Sequence, residues 1–542
     1  MPGGLTILDS AGGGTLTLTN ANTYTGTTII GDGTHSVTLA LSGTGSIANS
    51  STVAIATGGT FDISQTTNGA SIATLADSAT GQAGNVNLGG ANQTLTITGG
   101  STTFSGSIQD GGIGNGTGGN LAIAGGTQTL AGVNTYTGAT TIVPDPTSGT
   151  ATLALYGSGS IATSSGIYIA TGGTFDISGV ISPLNLSGSG IPFSLVGTTV
   201  NSLQGSGGTV YLGGNALDVN VTSGTSPFGG TITGIATPLS CMSGCPSQGV
   251  SLIKSGNGTL TLTGANNYSG YTGIVGGTLA LSGSGAISNS AGVAIFPNTI
   301  FDISGLSNSG APASTTVQSI QTAGNSNVGG TLLLGSNTLV VETSGGSGNN
   351  GSQFGGVIAD CVSGSIQCLG NGINGNFGGS LTVAGTGTLQ LADTNTYTGA
   401  TTINTGATLQ LSAQYPNCNG NCSPVANGSV AASSGVIING TGTFDISGLQ
   451  NLSNTSTSYL PAATTVAAMT DDGHGAGSIY LGSNTLIIGD ARNLNSSFSG
   501  VISDCGTGGN LCAAAQNCNN CGGGPTGGSL VKDGTGTLTL SG

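Results

Sequence analysis

Residues 258–272 read G-T-L-T-L-T-G-A-N-N-Y-S-G-Y-T. Leu260 and Leu262 alternate with Thr259, Thr261 and Thr263. A period of two places the leucines on one face of a strand and the threonines on the other. Gly264 ends the run, and Asn266-Asn267-Tyr268-Ser269-Gly270 brings Asn, Ser and Gly, the residues of tight corners. The stretch therefore predicts a short, half-buried strand followed by a sharp turn.

The same corner recurs as N-T-Y-T-G at 22–26, 134–138 and 395–399, so Tyr24, Tyr136, Tyr268 and Tyr397 mark four copies. A second string, F-D-I-S, starts at Phe61, Phe175, Phe301 and Phe444. A third, F-x-G-x-I, starts at Phe104, Phe228, Phe354 and Phe498, and L-G-x-N-x-L starts at Leu212, Leu334 and Leu481, with a looser copy at Leu88. The order never changes. A repeat of roughly 110–145 residues exceeds the 20–50 of a single-turn unit, so each repeat must hold several turns. The reading divides one continuous rod into repeats 1–125, 126–250, 251–380 and 381–526, with a fifth beginning at 527–542.

Between the markers lie other short alternating runs, such as Thr15 to Thr19, Val53 to Ala56 and Thr94 to Ile97, with no sustained helical periodicity. The fold class is all-β. Sandwiches rarely exceed roughly 250 residues in one domain, and propellers need equal blades. A parallel β-helix, or β-solenoid, accepts repeats of unequal length because inserts become loops on its outside. At ~22 residues and ~4.8 Å per turn, the chain makes a rod of ~110–120 Å.

Composition narrows the function. Only 4% of the 542 residues are charged, 106 are glycine, and 36% are hydrophobic, so there is apolar material for a long thin core. Three basic residues, Lys254, Arg492 and Lys532, face 18 acidic ones. Nucleic acid binding needs clustered cations, and an anionic membrane surface attracts the same. Both are rejected, and no apolar run of about 20 residues spans a bilayer. Met1-Pro2-Gly3-Gly4 begins without an export leader, and Ser529 to Gly542 repeats the pattern of Ser251 to Gly264. The ends therefore read as cuts through a longer chain.

The string at 258–272, preceded by L-I-K-S-G-N, resembles the autotransporter-associated β-strand repeat, and the resemblance returns near residues 14–28, 126–140, 385–402 and 530–542. That family implies a right-handed parallel β-helix, export to the bacterial cell surface, and a part in adhesion, aggregation or spacing. The expected partners are other copies of the chain or neighbouring solenoid segments, and a host-cell, matrix or carbohydrate surface. The expected localisation is extracellular.

Ten cysteines fall into close pairs: Cys241 and Cys245, Cys361 and Cys368, Cys418 and Cys422, Cys505 and Cys512, Cys518 and Cys521. Three pairs follow the F-x-G-x-I marker, which predicts surface loops at one recurring corner, each closed by a local disulfide. The rival is a four-thiolate zinc site at Cys505, Cys512, Cys518 and Cys521, whose spacing lacks the usual paired form. Disulfides are preferred.

No catalytic constellation emerges, and no cofactor is expected. Asp62, Asp176, Asp302 and Asp445 sit between Phe and Ile in every F-D-I-S, predicting an outward structural or turn role rather than a unique acid–base pair. Neither His35 nor His474 accompanies a serine nucleophile motif. Asp471-Asp472-Gly473-His474 reads as a solvated loop rather than a cation site, and G-T-G-T-F-D-I-S at 440–447 fits a tandem calcium repeat poorly. Thr-Leu-Thr occurs about once per repeat, too rarely for an ice-ordering lattice. A carbohydrate-active β-helix and an end-to-end fibre remain as alternatives to the adhesive scaffold.

Overall fold

The computed structural model describes residues 3–79, 83–184, 195–235, 249–323, 328–343, 352–361, 378–414, 425–450, 461–475, 477–504 and 527–542. It forms two compact units, one of Met1–Ser187 and Pro192–Gly270, the other of Tyr271–Gly542. Among the described residues all regular elements are strands, and their pairing is parallel apart from the short contact of Thr408–Gln414 with Ala426–Asn427.

In the first unit, Leu5 pairs with Thr28, Thr28 with Val53 and Val53 with Leu75. Each position thus returns after 23, 25 and 22 residues, which is one turn of a coil. Strand spacing fixes the rise at ~4.8 Å per turn. A full turn has three sides, each a strand or a tight corner.

One side stacks Gly14–Leu18, Val37–Gly43, Gly59–Thr66, Asn85–Asn87 and Ser107–Gln109. Its inward column runs Leu39, Phe61, Val86 and Ile108, all fully buried. Each such side chain contributes ~1.5–3 kcal/mol by leaving water. The period-two alternation predicted from sequence is what builds this column.

The F-D-I-S strands share a local irregularity. Ser64 N–H donates to Asp62 Oδ1 at 2.9 Å, and the same Asp-to-Ser bond is 2.8 Å at Asp176, Asp302 and Asp445. A side chain that bonds the backbone two residues on competes with the ladder. The register slips at that point in all four copies, between Ala40 and Ser42, Ala154 and Tyr156, Ala280 and Ser282, and Gln410 and Ser412 of the neighbouring strand.

The glycine of F-x-G-x-I has a steric reason. A Cβ at Gly106 would lie 2.5 Å from Phe104 Cζ and collide with the Gly84 carbonyl of the turn before. Gly230, Gly356 and Gly500 are hemmed in the same way by Phe228, Phe354 and Phe498.

The repeats do not stack in phase. F-D-I-S of the first repeat lies in Gly59–Thr66, in the side described above. F-D-I-S of the second, in Gly173–Val180, lies in a different sheet, with Ser101–Phe104, Gly126–Leu130, Ala151–Gly157, Thr209–Tyr211 and Thr231–Thr233. The second unit shows the same offset. Ile300–Leu306 sits with Thr278–Gly283, Thr331–Leu333 and Val357–Ala359, whereas Thr443–Gly448 belongs to the sheet of Ser352–Phe354, Thr388–Leu391, Thr408–Gln414, Ser478–Tyr480 and Val501–Ser503. The cause is the turn after F-x-G-x-I. It spends two sides, Ser107–Gln109 and Asn120–Ile123, and Gly126–Leu130 of the next repeat takes the third. Within each unit a marker therefore moves one side round per repeat. The strands that lead into the inserts at 110–119 and 236–249 lie on different sides, which corrects the expectation of one recurring corner.

Candidate functional site

The recurring strings are candidates for function only if their side chains are not already used. Tyr136 is fully buried, and its hydroxyl lies 2.6 Å from Thr140 Oγ1. Thr140 Oγ1 lies 2.9 Å from Ser164 Oγ, which donates to Gly138 O at 2.8 Å. Tyr397, Thr401 and Ser433 repeat the relay at 2.7 and 3.0 Å, and Tyr24, Thr28 and Ser50 at 2.7 and 2.8 Å. Burial pushes the phenols of Tyr136, Tyr397 and Tyr24 upward, so they stay neutral hydroxyls. Tyr268 is equally buried. Two residues before each tyrosine, an asparagine ties turns together. Asn134 Oδ1 accepts Ile108 N–H at 2.9 Å, while its amide donates to Gly132 O and Ser160 O at 3.0 Å each. The asparagine of L-G-x-N does similar work: Asn337 Nδ2 donates to Ile303 O and Leu306 O.

Phe61, Phe175, Phe301 and Phe444 are fully buried in the core. Asp62 is also buried, and its Oδ2 accepts Ile113 N–H at 2.8 Å from the insert at 110–119, while Ser64 Oγ accepts Gly114 N–H at 2.7 Å. Its three counterparts keep the local bond to serine but have no such loop bond among the described residues.

Sequence reading missed a second aspartate. Asp110, Asp360 and Asp504 each stand two residues after the Ile of F-x-G-x-I. Asp110 accepts Gly118 N–H and Gly119 N–H at 3.0 and 2.9 Å, and Thr137 Oγ1 donates to it at 2.6 Å. Asp360 holds Gly378, Gly379 and Thr398 in the same manner, and Asp504 holds Gly527 and Gly528. The clamp closes inserts whose ends lie 8, 18 and 23 residues apart. The available signal was Ile-x-Asp followed later by Gly-Gly, which the second repeat replaces with Thr233-Gly234-Ile235.

Among the described residues no titratable side chains converge on a reactive centre. His35 pairs with Asp32 at 2.9 Å and His474 with Asp472 at 3.2 Å, both at the surface. Asp471 turns away from Asp472 to accept Ser499 N–H and Oγ–H, and Asp472 accepts Gly440 N–H. Among the described residues no group of three or more His, Cys, Asp or Glu is placed to hold a metal ion. Cys361 is described; the other nine cysteines lie outside the described residues. Lys254 is fully buried, with its ammonium donating to Ser255 O at 2.7 Å and Gly256 O at 2.9 Å. Burial depresses it to about 8, against the opposing pull of Asp218, whose own carboxyl burial raises.

What remains exposed is the outward face of the turns. In the first unit Ser101, Thr127, Thr152, Thr174, Thr209 and Thr231 form one in-register column. The column beside it is mixed, running Thr129, Ala154, Asp176, Tyr211 and Thr233, so no two-column threonine lattice forms.

Stacked parallel turns, with their recurring side chains spent on joining one turn to the next, define a β-solenoid-like repeat scaffold. Comparison with known proteins makes this specific. The passenger-associated-transport-repeat family matches residues 11–34, 125–143, 252–281, 381–411 and 530–542, and the first four of these segments contain the N-x-Y corners. The chain carries these autotransporter passenger repeats and is of the kind exported to the bacterial cell surface. It is 30% identical over 409 residues to the adhesin BmaC autotransporter of Brucella suis biovar 1 (strain 1330), which covers 73% of this chain. The chain spans 11% of that relative's length. No solved structure matches it.

Proposed function

We propose that this chain acts as a non-catalytic adhesive scaffold at the bacterial surface, a coil that presents inserts and outward faces to host cells or matrix. The observation that carries this reading is the use of recurring side chains inside the fold: Asn134 and the Tyr136–Thr140–Ser164 relay join turns, and the F-D-I-S aspartates hold the serine two residues on. Residues used that way hold a scaffold together, and recognition is left to what differs between repeats. The adhesin named among the relatives supports the same reading. The proposal includes a right-handed coil, repeats 1–125, 126–250, 251–380 and 381–526 as modules, and local disulfides within the five cysteine pairs. Small disulfide loops add a few kcal/mol at most, so these bonds would stiffen inserts rather than hold the coil.

The test is attachment. Beads coated with the oxidised chain should bind cultured host cells or matrix-coated surfaces, and the chain should sediment as a monomer. Long polymers without attachment would favour the fibre alternative. Release of reducing sugar from a polysaccharide would favour the enzyme.

A further inference from the structure

The second repeat carries an outward face unlike the rest of the first unit. Tyr156 and Tyr211 project from it, 61% and 45% exposed. Tyr211 stands directly over Asp176 in register, and Tyr156 stands beside Gly179 on the same strand as Asp176. A Cβ at Gly179 would come 2.8 Å from Tyr156 Cδ2, so the ring lies across bare backbone rather than standing off the sheet. The two tyrosines are two turns apart along the axis and two residues apart along the strand, about 12 Å in all by strand geometry. Thr152, Thr174 and Thr209 run alongside them as a row of half-exposed hydroxyls.

We propose that this face binds a neutral polysaccharide chain, with Tyr156 and Tyr211 as stacking platforms and Asp176 and the threonine row bonding to sugar hydroxyls. The proposal rests on the adhesive reading and names its ligand class. Aromatic rings present an apolar face with a polar tip, which suits the apolar flank and hydroxyl rim of a pyranose. Two rings about 12 Å apart, set diagonally across the turns, span about two linked sugars of one chain. Charge selects neutrality. Lys254 is the lone Lys or Arg in the sequence of the first unit, and it is fully buried. Sulfated or acidic glycans would meet Asp176 with no counter-charge. A two-fold contact between copies on this face is disfavoured for the same reason, because it would bring Asp176 toward its own counterpart.

The experiment presents the full chain with neutral hexaoses of α- and β-linked glucose, mannose and N-acetylglucosamine, and with heparin and polygalacturonate. Binding is followed by calorimetry and saturation-transfer NMR. At least one neutral hexaose should bind, insensitively to salt. Tyr156→Ala and Tyr211→Ala should each weaken it about tenfold, as loss of one stacking ring does. Both positions are exposed, and unchanged circular dichroism would confirm folding. Binding of anionic probes alone, no binding of any neutral hexaose, or binding indifferent to both substitutions would overturn the proposal. So would concentration-dependent self-association abolished by the same substitutions, which would make the face a contact between copies. Cell attachment that survives in both variants, with no glycan bound, would leave the adhesive reading standing and remove this one.

Discussion

Asn395 holds three turns at once: it accepts Ile358 N–H at 2.9 Å and donates to Asp393 O and Ser429 O at 3.0 Å each. Replacing it with alanine strands the buried Ile358 N–H and removes one of the two bonds at each of Asp393 O and Ser429 O, which keep their backbone donors. An unsatisfied buried group costs ~1–3 kcal/mol, so Asn395→Ala should lower unfolding stability by ~2–4 kcal/mol, seen as a reduced urea midpoint. Tyr397→Phe is milder, ~1 kcal/mol, because Thr401 keeps its bond to Ser433. Lys254 gives a pH signature. Its folded pKa of about 8 lies below the usual 10.5, so the unfolded chain binds more protons between those values. Stability therefore rises as pH climbs from about 8 toward 10.5, where the cost of burying the ammonium disappears. The buried tyrosines act oppositely. Their raised pKa keeps them neutral in the fold, so stability falls once unfolded tyrosine ionises above pH ~10. Thermal scans across this range should show a maximum between, and Lys254→Met should remove the rise while leaving the fall.

At the scale of the element, an aspartate clamp closes the base of the insert. Asp110 accepts two glycine N–H groups and a threonine hydroxyl, and Asp360 repeats this around a longer insert. Bonds to a charged acceptor are the stronger kind. Asp360→Ala should cost ~2 kcal/mol and speed cleavage by thermolysin at the insert, with the strands intact by circular dichroism. Asp360→Asn keeps one acceptor oxygen and should fall between. The strands themselves were legible in the sequence, because alternation and four ordered markers dictate short half-buried strands that stack. The turn role of the F-D-I-S aspartates was legible for the same reason, but they were expected on the outer face, and the burial of Asp62 and Asp445 was not foreseen. The clamp was harder to see, since Ile-x-Asp and Gly-Gly are separated by inserts of different lengths and are absent from the second repeat. The one-side advance per repeat was invisible, because it depends on Asn120–Ile123 being followed at once by Gly126–Leu130, a matter of counting sides rather than of residue type. The outward tyrosines of the second repeat drew no notice because Tyr156 has no counterpart at its marker position in the other repeats.

For the chain as a whole, a net charge of −15 with three basic residues argues against capture by polyanions. Attachment to cells should therefore persist when heparin or added salt is present, and loss of attachment under either would point to an ionic mechanism. The central claim is that each unit coils in parallel, with each turn in register on the last. It is tested most directly by paired cysteines on outward positions of adjacent turns. Thr141 and Tyr168 face outward and are register partners in Ala139–Ile142 and Gly166–Ile169. Partners ~4.8 Å apart fall within the span a disulfide tolerates, whereas Ala139 and Tyr168, two residues out of register, lie beyond ~7 Å. After mild oxidation and peptide mapping by mass spectrometry, Thr141→Cys with Tyr168→Cys should cross-link readily, and Ala139→Cys with Tyr168→Cys should not. Equal cross-linking of the two pairs, or none in the first, would contradict the stacked parallel coil.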